Sequence, residues 1–141
     1  MRPYPDVIPT LKRLAGAKLI RGIISAGLET KQAEKIIRLG IYEFLTPNAI
    51  FISDQIGISK PNVKLYERAC AEVGVKPTEA IYVGDNPLTD IDPPNSIGMI
   101  TIRSRRSGKH KEAEGVTQPH YEIHKLSELI NILRKDLGIN V

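Results

Sequence analysis

YVGDNPLTD, residues 82–90, is the stretch on which the reading of this chain turns. It continues an apolar run over residues 80–83 that reads as a buried strand, and it ends that strand in Gly84-Asp85. A turn rich in Asn and Pro follows, and a second carboxylate, Asp90, returns five positions after the first. Two hard oxygen donors beside the end of a strand suit a cation such as Mg²⁺, which takes one or two carboxylates and completes its shell with waters and a phosphate. The same pair would also serve as a turn followed by a helix cap. The remainder of the sequence has to separate these readings.

Outward from this stretch, strands and helices alternate. Residues 19–24, 50–52, 99–102 and 121–123 read as further strands, each a nearly continuous apolar run. Between them lie helical patterns over residues 6–14, 30–39 and 61–73. Pro61 stands at the start of the last of these and Gly74 just past its end. A closing helix starts at Ser127 and carries Leu129, Ile130, Leu133 and Leu137. Such alternation predicts an α/β fold with a parallel sheet. In sheets of this kind ligands gather at the carboxyl ends of the strands, where both Ser25 and Asp85 fall.

That edge has the makings of a phosphate site. Ser25 and the N–H groups of Ala26 and Gly27 could donate to phosphate oxygens. Lys60, opening a helix in Ser59-Lys60-Pro61, adds a point charge. Taken singly, a serine after a strand is usually a helix cap and a lysine at a helix start is usually solvated. Their order along the chain is the informative feature: strand then Ser, Lys-Pro then helix, strand then Gly-Asp and Asp.

The bulk properties agree with a single soluble domain over residues 1–141. The net charge of +4 is mildly basic, too little by itself to imply nucleic acid. Arg103, Arg105, Arg106, Lys109 and Lys111 form a basic loop without interleaved aromatics to stack on bases, and read as solvated. The one cysteine, Cys70, excludes an intrachain disulfide and sits in a helical pattern as packing. No apolar run reaches the ~18 residues of a membrane span, and the N-terminus lacks a secretory core. The expected location is cytoplasmic, with no membrane partner.

The segments GIISAG, ISKPNVKLYERACAEVGVKPTEAIYVGDNPLTDI and GMITIR together resemble the haloacid dehalogenase-like (HAD) hydrolase superfamily, over nearly the whole chain. The resemblance implies a three-layer, Rossmann-like parallel sheet with helices on both faces. It makes Ser25, with Ala26, the phosphate-binding motif, Lys60 the catalytic lysine that also binds the phosphate, and Asp85 and Asp90 the ligands of Mg²⁺. A Mg²⁺-dependent phosphatase acting on a small phosphate ester is the implied activity.

One part of the family pattern is missing. Its nucleophile lies in an Asp-x-Asp that ends an apolar strand. The only Asp-x-Asp here, Asp90-Ile91-Asp92, follows a turn. The chain therefore resembles a HAD core without its first strand and cap. That strand is central in the family, and each buried backbone group left unpaired costs roughly 1–3 kcal/mol against a total stability of about 5–15 kcal/mol. The expectation is a separate N-terminal segment or second chain that completes the sheet, or that these residues are a fragment; the alternative is a catalytically inactive relic or fragment acting as a phosphate- or metal-binding or interaction subunit. Pro93-Pro94 further predicts that the helix after Asp90 is short or restarts.

Overall fold

These patterns are realised in a computed structural model that describes residues 3–25, 29–58, 60–106 and 108–141. In chain order the elements are α1 (Val7–Gly16), β1 (Ile23–Ser25), α2 (Glu29–Arg38), β2 (Ile50–Ile52) and α3 (Ser53–Ile56). They continue with α4 (Val63–Glu72), β3 (Ile81–Gly84), α5 (Asp92–Ser96), β4 (Ile100–Ser104), β5 (Tyr121–Ile123) and α6 (Glu128–Asn131). Every strand pairing is parallel, so the α/β class expected from continuous apolar runs is the one adopted. No described helix is long and apolar enough to cross a membrane.

The strands form two sheets, β1-β2 and β3-β4-β5, and the chain divides into two units. The first comprises Met1–Gly57 with Lys125–Val141, the second Ile58–His124. In the first unit, Ile23, Ile24 and Ser25 lie opposite Ile50, Phe51 and Ile52. Its core is Ile36, Ile41 and Leu45, against which Val7, Leu11, Ile23 and Ile50 pack. Thus α1, α2 and both strands share one apolar centre.

β1 is shorter than the apolar run that predicts it. It begins at Ile23 because Arg21 diverts its backbone N–H to the Thr46 hydroxyl at 2.8 Å, outside any ladder. The Arg21 guanidinium also donates to the Phe44 carbonyl at 2.7 Å. Gly22 follows, and a Cβ there would meet the Ala49 carbonyl oxygen at 2.7 Å, so only glycine lets the chain pass so close.

In the second unit β4 is the middle strand. Ile81, Tyr82, Val83 and Gly84 pair with Ile100 to Arg103, while Ile102, Arg103 and Ser104 pair with Tyr121, Glu122 and Ile123. Helix α4 starts where the Asn62 side chain accepts the Lys64 N–H at 3.0 Å, a standard N-cap bond. It stops before Gly74, whose φ of +77° ends it. Its buried face is Leu65, Tyr66, Ala69 and Cys70, of which Leu65 contributes about 1.5–3 kcal/mol on full burial. Burial also pushes the Cys70 thiol pKa up, which keeps it inert as expected.

After β3 the chain makes a wide i→i+5 turn over Pro87–Ile91 and restarts as α5, with Pro93 and Pro94 in its first turn. Proline costs nothing there, because those N–H groups have no helical partner. α5 is short, five residues, which is one of the two outcomes that Pro93-Pro94 predicts.

Candidate functional site

The site grows from the end of β3. The Asn86 side chain accepts the Leu88 N–H at 3.2 Å and its carbonyl accepts the Asp90 N–H at 2.7 Å. This folds the chain back so that Asp90 lies over the strand terminus. There Asp90 Oδ2 accepts the backbone N–H groups of Asp85 and Asn86, both at 3.1 Å. The closure requires Gly84: a Cβ on that residue would lie 2.5 Å from Asp90 Oδ2 and closer still to the carbons behind it. Gly84 thus serves Asp90, a dependence that follows from backbone approach rather than from strand propensity.

Asp90 Oδ1 faces the other way. It accepts from Lys60 Nζ at 2.9 Å and from the Thr89 hydroxyl at 3.3 Å. The ion pair is well covered, with the Lys60 and Asp90 side chains 16% and 7% exposed. Both carboxylate oxygens therefore have two donors. The carboxylate read from the sequence as a metal ligand is also the group that fixes Lys60 and the loop carrying Asp85.

Two tyrosines brace this arrangement. Tyr66 on α4 donates its hydroxyl to the Thr89 carbonyl and meets the Tyr82 ring edge-on, centroids 5.2 Å apart and planes at 83°. Lys60 Nζ lies 5.5 Å from the Tyr82 centroid, within cation–π range. Burial pushes both phenol pKa values well up, with the neighbouring Asp90 carboxylate adding to each. Both stay neutral, and Tyr66 remains a donor. The sequence places Tyr66 only on the buried face of a helix; the signal missed is that a buried phenol needs an acceptor.

Ser25 ends β1 in the first unit, and its hydroxyl donates to Gln32 Oε1 on α2 at 2.9 Å. Ala26 and Gly27 lie outside the described residues. Lys60, Asp85 and Asp90 all belong to the second unit.

The fit to Mg²⁺ follows from the donor set. Among the described residues no three His, Cys, Asp or Glu side chains gather as a metal cluster. Asp85, at the carboxyl end of β3, could offer one hard oxygen to a cation, whereas both oxygens of Asp90 are hydrogen-bonded. That suits an ion which takes few protein ligands and keeps several waters.

Comparison with known proteins decides the family. A model of haloacid dehalogenase-like hydrolases matches residues 1–103, most of the chain. The chain belongs to the haloacid dehalogenase-like hydrolases. Among curated HAD relatives, the glyceraldehyde 3-phosphate phosphatase of Methanopyrus kandleri is 44% identical over 96% of this chain and 58% of its own length. The (S)-2-haloacid dehalogenase 4A of Burkholderia cepacia is 30% identical over 95% of this chain and 56% of its own. A crystal structure of a HAD phosphatase from Thermococcus onnurineus superposes with a TM-score of 0.81 at 31% identity, over 97% of this chain and 59% of that one. This HAD chain thus spans somewhat under three-fifths of the length of the curated relatives it matches.

Proposed function

We propose that this chain is the phosphate- and metal-binding part of a Mg²⁺-dependent phosphatase acting on a small phosphate ester. The reading is carried by the Lys60–Asp90–Asp85 assembly at the carboxyl end of β3, where a lysine is locked by an ion pair beside a strand-terminal carboxylate. The phosphatase names of its more similar relatives support it. In this reading Asp85 holds the cation and Asp90 stands at its border, orienting the Asp85 backbone and Lys60. Bound Mg²⁺ would neutralise charge on the phosphoryl oxygens.

Lys60 contributes a second positive charge to the same oxygens, already aimed, so little reorganisation accompanies charge development. Ser25 and Ala26, in the first unit, keep the phosphate-binding role that the family resemblance gives them. The nucleophilic carboxylate, which the family's covalent route needs, comes from a segment or second chain beyond residues 1–141. That segment would also pair with a strand edge now open: β3 is hydrogen-bonded on one side only among the described residues.

A non-catalytic phosphate- or metal-binding subunit is the second reading, favoured by the lack of an Asp-x-Asp at the end of any strand. Calorimetry and turnover separate the two. Mg²⁺ and phosphate should bind the chain, with Mg²⁺ binding lost in Asp85→Ala. Hydrolysis of p-nitrophenyl phosphate should appear when an N-terminal segment ending its strand in Asp-x-Asp is co-expressed. Binding without turnover under those conditions points to the binding subunit; no binding at all rejects both.

A further inference from the structure

The basic loop after β4, expected to be solvated, is tied down and walls a cleft of about 390 Å³. The cleft lies wholly in the second unit, and its lining includes Asp85, Arg103, Arg105, His110, Lys111 and His124. These side chains come from the carboxyl ends of β3, β4 and β5 and from the loop itself.

The loop is held at both ends by bonds that need no ligand. Arg103 Nη2 donates to the carbonyls of His110 and Ala113, each at 2.9 Å. Arg105 reaches the Lys111 carbonyl at 3.2 Å and Glu122 Oε1 at 2.9 Å, and Arg106 Nε reaches the His124 carbonyl at 3.1 Å. Farther along, Asp92 accepts the N–H groups of Val116 and Thr117 at 2.9 Å and the Thr117 hydroxyl at 2.6 Å. The cations around the cleft are therefore pre-positioned, which lowers the cost of ordering them around a guest.

Charge in the cleft is unbalanced. Arg103, Arg105 and Lys111 bring three basic side chains to the cleft, and Asp85 is the sole carboxylate among the lining residues. Glu122 neutralises Arg105. Arg103 is 4% exposed, forms no ion pair among the described residues, and has a buried Nε–H with no acceptor among them. Lys111 likewise makes no side-chain bond among the described residues. A buried guanidinium whose Nε–H has no acceptor is costly, and an oxyanion in the cleft that Arg103 lines would offset its charge.

We propose that this cleft is an oxyanion-binding site, taking a carboxylate or phosphate group of a small anionic ligand. Its size suits a small molecule, and its lining offers no Phe, Tyr or Trp on which a nucleobase would stack. Neither Lys60 nor Ser25 lines it, and Asp85 is the one residue it shares with the proposed Mg²⁺ site.

The test is calorimetry on the whole chain in metal-free buffer, with inorganic phosphate and malonate as probes, while the Arg103 Nε–H resonance is followed by NMR. Binding of either probe, with a shift of that resonance and at least a fivefold loss of affinity in Lys111→Ala, is expected. Lys111 is exposed, so this variant keeps the fold. Arg105→Ala should weaken binding as well. Phosphate binding without malonate would narrow the ligand to phosphorylated compounds. If millimolar probe does not bind, or if binding falls in Ser25→Ala and is unchanged in Lys111→Ala, the proposal is overturned. The second result would place the anion at the proposed catalytic site instead.

Discussion

β3 and β4 are parallel neighbours with similar apolar sequences, and they are buried very differently. In β4, Thr101 and Ile102 are fully buried and Arg103 nearly so, because β3 and β5 flank the strand on either side. All four residues of β3 are only half-buried, although Ile81-Tyr82-Val83 is as apolar as Ile100-Thr101-Ile102. The difference is one missing neighbour. An apolar run states that a strand belongs inside; pairing on both edges determines whether it gets there. The open edge of β3 is also where the chain ends in the Asp85–Asp90 loop, so the least covered strand carries the most polar machinery.

That contrast can be broken most severely at its polar end. Asp90→Ala removes the acceptor of two backbone N–H groups and leaves Lys60 covered without its counter-charge. A loss of about 3–5 kcal/mol is expected, measured by urea unfolding, and Asp90→Asn should lose less because it keeps an acceptor. Next comes the strand comparison itself. Ile102→Ala in β4 should cost about 2–5 kcal/mol, the range for a fully buried aliphatic. Ile81→Ala in β3, which keeps some exposure, should cost less, about 1–2 kcal/mol. If a partner segment is supplied and covers β3, the Ile81 value should rise toward that of Ile102; equal values without it would sink the contrast.

Gly84→Ala follows, at about 1–3 kcal/mol, since its methyl would force Asp90 aside. Mg²⁺ affinity should fall with it, read by calorimetry. The smallest effect concerns the loop. Burial tends to raise the Asp92 pKa, but the bonds from Thr117 and Val116 outweigh it and hold the carboxyl below its ordinary value. A carboxylate with a depressed folded pKa adds stability above its unfolded value, near 4, and that stability is lost as pH falls through the folded value. Asp92→Asn should thus cost about 1 kcal/mol at neutral pH, with the gap to the parent closing as the solution is acidified below about pH 4. A gap that stays constant with pH would show that the Asp92 charge plays no part in holding the loop.

Much of this was legible in the residues. The alternation of apolar runs with helical periodicities yields the parallel α/β class, and Pro61, Gly74 and Pro93-Pro94 mark helix limits for local steric reasons. Gly84-Asp85 and Asp90 stand out by their spacing, which by itself fits a cation site and a capped turn equally. What could not be read was which partner each group takes. Nothing local pairs Lys60 with a residue thirty positions away, sends the Tyr66 hydroxyl to the Thr89 carbonyl, or has Asp92 capture Val116 and Thr117. The apolar run at residues 19–24 predicts a longer strand than forms for a similar reason, since the diversion of Arg21 toward Phe44 and Thr46 is a tertiary contact.

The sequence alone determined the fold class and the family, because both rest on short-range periodicity and on motifs of fixed spacing. Only the tertiary structure decided that Asp90 is shared between a lysine and a strand end. It alone converted a run of basic residues into the wall of a cleft. Hydrogen bonds and ion pairs are specified by where side chains meet in space, and that is set by the packing of distant elements.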